Sequence, residues 1–192
     1  KLEALLAKQG IEGLPNTVIK EVRDGEMELE GGRILPFAYA MIVPPFTGVD
    51  VVRETEGLGN PMGFIPVTEE YRHPDHPEVF AAGVDVAIPP PGETPVPAGV
   101  PKTGQMSEVM AKVAAQNIAA DLGHGEHRTM ALSELQAICI LDAGNGGVIF
   151  KADNVLSDDA TARVIAGPQA HWAKIAFERI FLGSRKRGKL VL

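Results

Sequence analysis

The chain has 192 residues, 45% of them hydrophobic and 22% charged, which is typical of a globular protein long enough to bury a sizeable core. Its net charge of −7 argues against a nucleic-acid-binding protein, because a phosphate-binding surface needs a basic excess. No apolar run approaches the roughly 20 residues that a membrane-spanning helix needs, and we expect no signal peptide. Because the chain begins at Lys1, within what reads as a helix, we expect a fragment or a processed product.

The first part of the chain predicts a helix and a small antiparallel unit. Leu2–Gln9 is typical of the last turns of an amphipathic helix, ended by Gly10. Three short strand-like segments separated by turn signals follow, at 17–22, 27–30 and 33–35. Phe37–Val43 is an apolar run typical of a central strand, and Gly63–Val67 predicts a brief further strand.

Four histidines lie in polar segments. His73 and His76 are three residues apart within Glu69–Pro77, and His124 and His127 have the same spacing. Two histidines at this spacing are compatible with a metal site, but no cysteine or carboxylate pattern completes one. We therefore predict solvated loops and no metal.

A strand, a crossover and a long helix form the middle of the chain. Val79–Ala82 predicts a buried strand that ends at Gly83. Ile88–Pro101 holds too many prolines for a helix or a central strand and should be extended. Gly104 then begins a helix with Thr103 as its N-cap. Its apolar stripe is predicted to be buried: Met106, Val109, Met110, Val113, Ala114 and Ile118.

The last third predicts a hairpin and a helix. The runs Ala137–Leu141 and Gly147–Phe150 are separated by a glycine-rich turn, which is typical of two antiparallel strands. Asp153–Ala166 is polar enough to predict a loop. Pro168 is well placed in the first turn of a final helix, which Gly183 should end.

Two segments carry a resemblance to a known family. AAGVDVAIPPP (81–91) followed by TPVPAGVPKTGQM (94–106) resembles the flavin-binding C-terminal part of sulfide:quinone oxidoreductases. These are flavoproteins with two dinucleotide-binding domains. The wider superfamily has an acidic residue after the glycine, whereas Val84 stands here, and this valine is typical of the sulfide:quinone branch. The resemblance spans Phe37 to Leu182 and is strongest from Val79 to Leu122 and from Gln169 to Leu182.

The resemblance implies an α/β fold, with α+β character as a fragment, and three parts. Residues 1–50 would end the second, NAD-type domain, 51–128 would return to the FAD-binding domain, and 129–192 would form the C-terminal hairpin and a quinone- and membrane-facing helix. Pro44-Pro45 stands where pyridine-nucleotide enzymes often have a glycine-rich turn. This fits an enzyme that binds no nicotinamide there, although a proline stop after any strand is equally compatible.

Cys139 is the predicted catalytic residue. By resemblance it is the second of two redox cysteines that face the flavin. Sulfide attacks a disulfide or polysulfide bridge, and a thiolate beside the flavin passes the electron pair on. The partner cysteine would lie upstream of Lys1, as would the GxGxxG fingerprint for the flavin pyrophosphate. The isolated chain is therefore expected to be inactive and to bind flavin weakly or not at all. From the residues alone, an inert core cysteine is the open alternative.

The resemblance also implies a flavin cradle made of Gly83, Val84, Lys102, Thr103 and Gly104. Gly83 would let the ribityl–pyrophosphate chain pass close to the backbone. The helix N-terminus at Gly104 would stabilise negative charge on the reduced flavin by roughly 0.5–2 kcal/mol. Without the resemblance, a strand–loop–helix joint with ordinary caps explains the same residues.

The final helix is predicted to face the quinone. Lys174 stands where the family places a lysine close to flavin and quinone, and a cation there could stabilise a quinol anion. Phe177 and Phe181, four residues apart, are predicted quinone contacts together with Phe150. Plain core packing is the alternative for all three aromatic residues.

The end of the chain combines basic and apolar residues. The cations are Arg179, Arg185, Lys186, Arg187 and Lys189. This composition predicts peripheral binding to an anionic membrane surface, by resemblance the prokaryotic cytoplasmic membrane, with a solvated basic tail as the alternative. The missing N-terminal half and further copies of the protein are the other expected partners.

Two further functional interpretations stay open. The first is a type II NADH:quinone dehydrogenase, against which Cys139, Pro44-Pro45 and Val84 argue. The second is a flavin-free, non-catalytic interaction domain.

Overall fold

The computed structural model describes residues 2–90, 92–96, 100, 102–142, 146–154 and 161–188. The chain divides into two compact units, Lys1–Pro45 with Gly92–Gly99, and Phe46–Pro91 with Val100–Leu192. The helices are α1 (Leu2–Lys8), α2 (Asp50–Glu54), α3 (Gly104–Asp121) and α4 (Pro168–Arg185). The strands are β1 (Ile19–Arg23), β2 (Glu26–Leu29), β3 (Ile34–Pro36), β4 (Ala137–Asp142), β5 (Gly147–Asp153) and β6 (Thr161–Gly167).

The first unit holds α1 and an antiparallel sheet of β1, β2 and β3 in sequence order. The helix, its end at Gly10 and the three strands are confirmed. Gly25, between β1 and β2, has a φ of 74°, which explains why a glycine stands in this turn.

The predicted central strand at Phe37–Val43 is wrong. These residues form no helix or strand, and Tyr39 and Met41 are 83% and 80% exposed. An apolar run indicates burial but does not provide a pairing partner, and no described strand pairs with this segment. The proline-rich stretch also lacks regular structure at its described positions, as predicted, while 91, 97–99 and 101 lie outside them.

The core of the second unit forms around α3. Met106, Met110, Val113 and Ala114 are buried and pack in one cluster with Tyr71, Val86 and Leu135 among others. The predicted stripe is therefore largely confirmed. Ile118 is the exception, since it is 42% exposed. The residue before it, Asn117, is the one that is buried.

Two further predicted strands are reduced to single bridges. Within Val79–Ala82, only Phe80 pairs, with Arg72, and within Gly63–Val67, only Ile65 pairs, with Val86 in parallel. Ala81 is nonetheless buried, so the apolar pattern correctly indicated burial. The expectation of regular strands was wrong because each described segment forms a bridge at one position only and does not continue into a ladder.

Hydrogen bonds of one buried and one exposed side chain of α3 fasten Glu70, Arg72 and Arg128 to the second half of this helix. The Asn117 amide donates to the carbonyls of Glu70 (2.9 Å) and Arg128 (2.8 Å) and accepts from the Arg128 amide (2.8 Å). The Arg72 guanidinium donates to both carboxylate oxygens of Asp121, at 2.9 and 2.8 Å. This arrangement closes the loop that precedes Gly83 against the helix.

The prediction of a solvated loop fails for His73. Its side chain is 2% exposed, and its Nδ1 accepts hydrogen bonds from the amides of Asp75 and His76, both at 3.1 Å. Because Nδ1 is an acceptor, the neutral ring carries its proton on Nε2. His73 therefore shapes the backbone of its own turn, whereas His124 and His127 are exposed as predicted.

The C-terminal part is a three-stranded antiparallel sheet in the order β4-β5-β6 with α4 after it. The predicted hairpin is confirmed, and its turn residues 143–145 lie outside the described set. Two expectations were wrong: 161–167 is the third strand, and α4 runs past Gly183 to Arg185. The first six residues of β6 are exposed, so its mixed composition reflects an uncovered strand and not a loop.

The burial of Tyr71 in this core can be tested through the pH dependence of the free energy of unfolding. Burial, with Glu134 nearby, raises the pKa of Tyr71 from 10.0 to about 12, and its hydroxyl has no hydrogen-bond partner in the described structure. Between these pH values the unfolded chain has lost the phenol proton while the folded chain keeps it. Tyr71 therefore lowers the free energy of unfolding as pH rises, by about 1–2 kcal/mol over this window.

Urea unfolding of the wild type and Tyr71→Phe at pH 7 and pH 11 measures this contribution. Tyr71→Phe should match or exceed the wild-type stability at pH 7, because it removes an unpaired buried hydroxyl, and should lose less stability at pH 11. Equal losses in the two proteins would contradict the expectation.

Candidate functional site

Gly83 begins a single 3₁₀ turn, Gly83–Asp85, against the first turns of α3. Its φ is 82°, and a Cβ at this position would lie 3.0 Å from both Cβ and Oγ of Ser107. Its amide also contacts the Met110 sulfur at 3.2 Å. The glycine is thus needed for its backbone conformation and for close packing of the helix, while the next residue, Val84, is 58% exposed.

Lys102 holds this turn in place. Its ammonium donates to the carbonyls of Val84 (2.8 Å) and Val86 (2.6 Å) and lies 3.9 Å from the centre of the Phe64 ring. Desolvation by burial lowers the pKa of Lys102, and the nearby Asp85 carboxylate opposes this. Lys102 therefore connects the 3₁₀ turn to the residues just before α3.

The N-terminus of α3 holds the last two residues of the predicted cradle, Thr103 and Gly104. The predicted cap is confirmed, since the Thr103 hydroxyl accepts from the Met106 amide at 3.3 Å. The amides of Gly104 and Gln105 are the first two of an 18-residue helix and have no intrahelical acceptor. Gly104 is exposed, and a Cβ at this position would meet no atom outside its own helix and chain neighbours within 4 Å. Two helix-start amides without an intrahelical acceptor suit an anion or an electron-rich ring edge.

Cys139 lies in β4 with its side chain exposed. The register places it opposite Phe150 in β5, which in turn lies opposite Val164 in β6. Residues directly opposite each other share a face of the sheet, so the thiol and the Phe150 ring are cross-strand neighbours.

The strand of Cys139 begins beside the first turn of α3. A cavity of about 160 Å³ is lined by Gln105, Met106 and Val109 of the helix and by Glu134, Leu135 and Gln136, which lead into β4. Leu135 is 2% exposed and belongs to the same core cluster as Met106. Packing in the core thus fixes the start of β4 relative to the N-terminal end of α3, where the amides of Gly104 and Gln105 lie.

The aromatic residues of α4 form a pair. The rings of Phe177 and Phe181 stack with their centres 5.7 Å apart and an angle of 26° between their planes. Lys174 is exposed one turn before Phe177. The Arg185 guanidinium lies 4.8 Å from the centre of the Phe181 ring and donates to Glu108 of α3 at 2.9 Å.

The structure therefore places Gly83, Val84, Lys102, Thr103 and Gly104 close together, and it pairs Cys139 with Phe150 across two strands. Sequence reasoning did not identify the contact of Phe64 with Lys102 or that of Glu108 with Arg185, because these contacts join residues far apart in the chain. No group of three or more possible metal-ligating side chains occurs among the residues that the structure describes. Within the same residues, no helix is both long and apolar enough to cross a bilayer.

Comparisons with curated proteins and with solved structures both find a sulfide:quinone oxidoreductase. No protein-family profile matches the chain. It is 33% identical over 195 residues to a protein named sulfide-quinone reductase from Aquifex aeolicus (strain VF5), covering 98% of this chain and 45% of that protein. The X-ray structure of the sulfide:quinone oxidoreductase from Aquifex aeolicus superposes with a TM-score of 0.86 at 31% identity, again over 98% of this chain and 45% of the other.

The chain therefore spans just under half the length of the relative that it matches. Its mixture of helices and sheets agrees with the predicted α/β class. The resemblance that its motifs indicated is thereby confirmed: along nearly its whole length, the chain resembles part of a sulfide:quinone oxidoreductase.

Proposed function

We propose that this chain is the C-terminal part of a flavoprotein that oxidises sulfide to polysulfide or sulfur and passes the electrons through FAD to a membrane quinone. The observation that carries the proposal is the position of Cys139, exposed on a strand that begins beside the first turn of α3. The complete protein would consist of this chain and the further sequence that its relative has in addition.

The cradle residues near the start of α3 would hold the flavin. They are Gly83, Val84, Lys102, Thr103 and Gly104. The free amides of Gly104 and Gln105 suit the pyrimidine edge of the isoalloxazine ring, and the exposed Val84 leaves the 3₁₀ turn accessible. Lys102 would act by fixing the turn, since two carbonyls and the Phe64 ring surround its ammonium. A bound flavin supplies a two-electron acceptor that a quinone can reoxidise.

Cys139 would carry the sulfur chemistry. Hydrosulfide attacks the bridge between Cys139 and a second cysteine outside this chain, and the bridging S–S bond breaks. One cysteine gains the incoming sulfur as a persulfide, and Cys139 leaves as a thiolate that holds the electron pair of the broken bond. Its exposed position makes the thiol accessible to a small anion.

The stacked pair on α4 would receive the quinone. Phe177 is 44% exposed, so one part of its ring is open while Phe181 stacks against it. A flat quinone ring can stack on such a surface. Lys174, one turn away on the same helix, would place a cation near the reduced quinone.

The outer side of α4 would contact the membrane. Trp172, Ile180 and Leu182 are 67%, 58% and 50% exposed. Arg179, Lys186 and Arg187 are exposed on or just after the same helix and suit anionic headgroups, whereas Lys189 lies outside the described residues. We propose peripheral association with the prokaryotic cytoplasmic membrane, and assembly into a homo-oligomer stays a prediction.

Steady-state assays of the complete protein test the activity. A short-chain quinone is supplied as acceptor, with either sulfide or NADH as donor. The proposal predicts quinone reduction with sulfide and none with NADH. Activity with NADH alone would identify a type II NADH dehydrogenase, and a colourless protein without activity would identify a non-catalytic domain.

A further inference from the structure

An ion pair joins α3 to α4. The Arg185 guanidinium donates to a Glu108 carboxylate oxygen at 2.9 Å, across 77 positions of sequence. The side chain of Glu108 is 13% exposed and that of Arg185 is 38% exposed. The sequence pattern assigned Arg185 to a basic cluster that faces lipid, whereas in the structure its guanidinium pairs with Glu108 of α3.

The same guanidinium continues into the aromatic pair. It lies 4.8 Å from the centre of the Phe181 ring, which stacks on Phe177. Glu108, Arg185, Phe181 and Phe177 thus form a continuous series of contacts, here called the aromatic clamp. A planar guanidinium can pair with a carboxylate and lie over a ring at the same time, which a lysine ammonium does less well.

We propose that Arg185 is a positioning residue for the quinone. It fixes the orientation of the Phe177–Phe181 pair relative to α3 and so sets quinone affinity without touching the reacting atoms. This inference rests on the proposed function, which assigns the quinone to that pair.

The physical reason is preorganisation. An aromatic side chain that is free to change rotamer must be ordered when a ring stacks on it, and this ordering weakens binding. Phe177 is 44% exposed and has an open side, so its orientation depends on Phe181. Phe181 is in turn held by the guanidinium, which Glu108 anchors to the helix that begins at the proposed flavin cradle.

The test compares Arg185→Met, Arg185→Lys and wild type in the complete protein. Arg185→Met should raise the KM for a short-chain quinone about fivefold to tenfold. Its KM for sulfide, and the rate at which sulfide reduces the flavin, should stay within about twofold of wild type. Arg185→Lys should lie between the two, because it keeps the ion pair and loses the planar stacking.

Arg53→Met is the matched control. Arg53 is also partly exposed and paired with a carboxylate, that of Asp50, but it lies on α2. Its loss should leave the quinone KM unchanged. An unchanged quinone KM in Arg185→Met, or an equal rise in both KM values, would overturn the inference while leaving the proposed function intact. A wild-type protein that does not reduce quinone with sulfide would overturn both.

Discussion

Replacing Cys139 by serine is expected to lower sulfide-dependent quinone reduction by the complete protein about 1,000-fold or more. Serine keeps the size of the side chain but cannot form the sulfur bridge that hydrosulfide attacks, nor leave as a thiolate. Because the Cys139 side chain is exposed, the exchange should leave the fold and the flavin content unchanged. Turnover measured with sulfide and a short-chain quinone, normalised to bound flavin, gives the effect.

Chemical reduction provides the control for this variant. Dithionite should bleach the flavin of Cys139→Ser as completely as that of the wild type, because it does not use the cysteine. If Cys139→Ser kept more than half of the wild-type turnover, Cys139 would be an ordinary cysteine of β4.

Replacing Asn117 by leucine is expected to cost about 3–5 kcal/mol of unfolding free energy. The Asn117 amide makes three hydrogen bonds of 2.8–2.9 Å, and the side chain is fully buried. Leucine has a similar size but leaves two carbonyls and one amide unpaired in the interior, each at a cost of roughly 1–3 kcal/mol. Urea unfolding at pH 7, followed by far-UV circular dichroism, measures the difference.

Gln116→Leu is the control for this exchange. Gln116 is exposed on the same helix and accepts only a long, 3.4 Å hydrogen bond from Arg128. Its change in unfolding free energy should stay within about 0.5 kcal/mol. Similar losses in the two variants would show that the polar contacts of Asn117 contribute little and that α3 tolerates no leucine on this turn.

Local signals in the sequence predicted local structure well. Glycine turns, the Thr103 cap and the buried stripe of α3 each depend on residues within a few positions of one another. The strands predicted at Phe37–Val43 and Val79–Ala82 failed because pairing needs a neighbouring strand, and an apolar run does not specify one. β6 was missed for the opposite reason, since exposed positions carry little of the hydrophobic pattern that identifies a strand.

In the candidate site, too, the sequence predicted the local features but not the contacts between distant residues. The glycine at 83 and the helix start at Gly104 stand in a recognisable motif, so their proximity could be predicted. The contact of Lys102 with Phe64 and that of Arg185 with Glu108 depend on the three-dimensional packing of the second unit. No spacing within the chain distinguishes Arg185 from the other cations on α4 or just after it.

Anaerobic addition of sulfide to the complete, flavin-loaded protein tests the central claim most directly. If Cys139 lies beside a flavin held at the start of α3, the oxidised flavin absorbance should bleach on mixing and return when a quinone is added. A flavin spectrum that sulfide leaves unchanged, in a protein that dithionite still bleaches, would contradict the account.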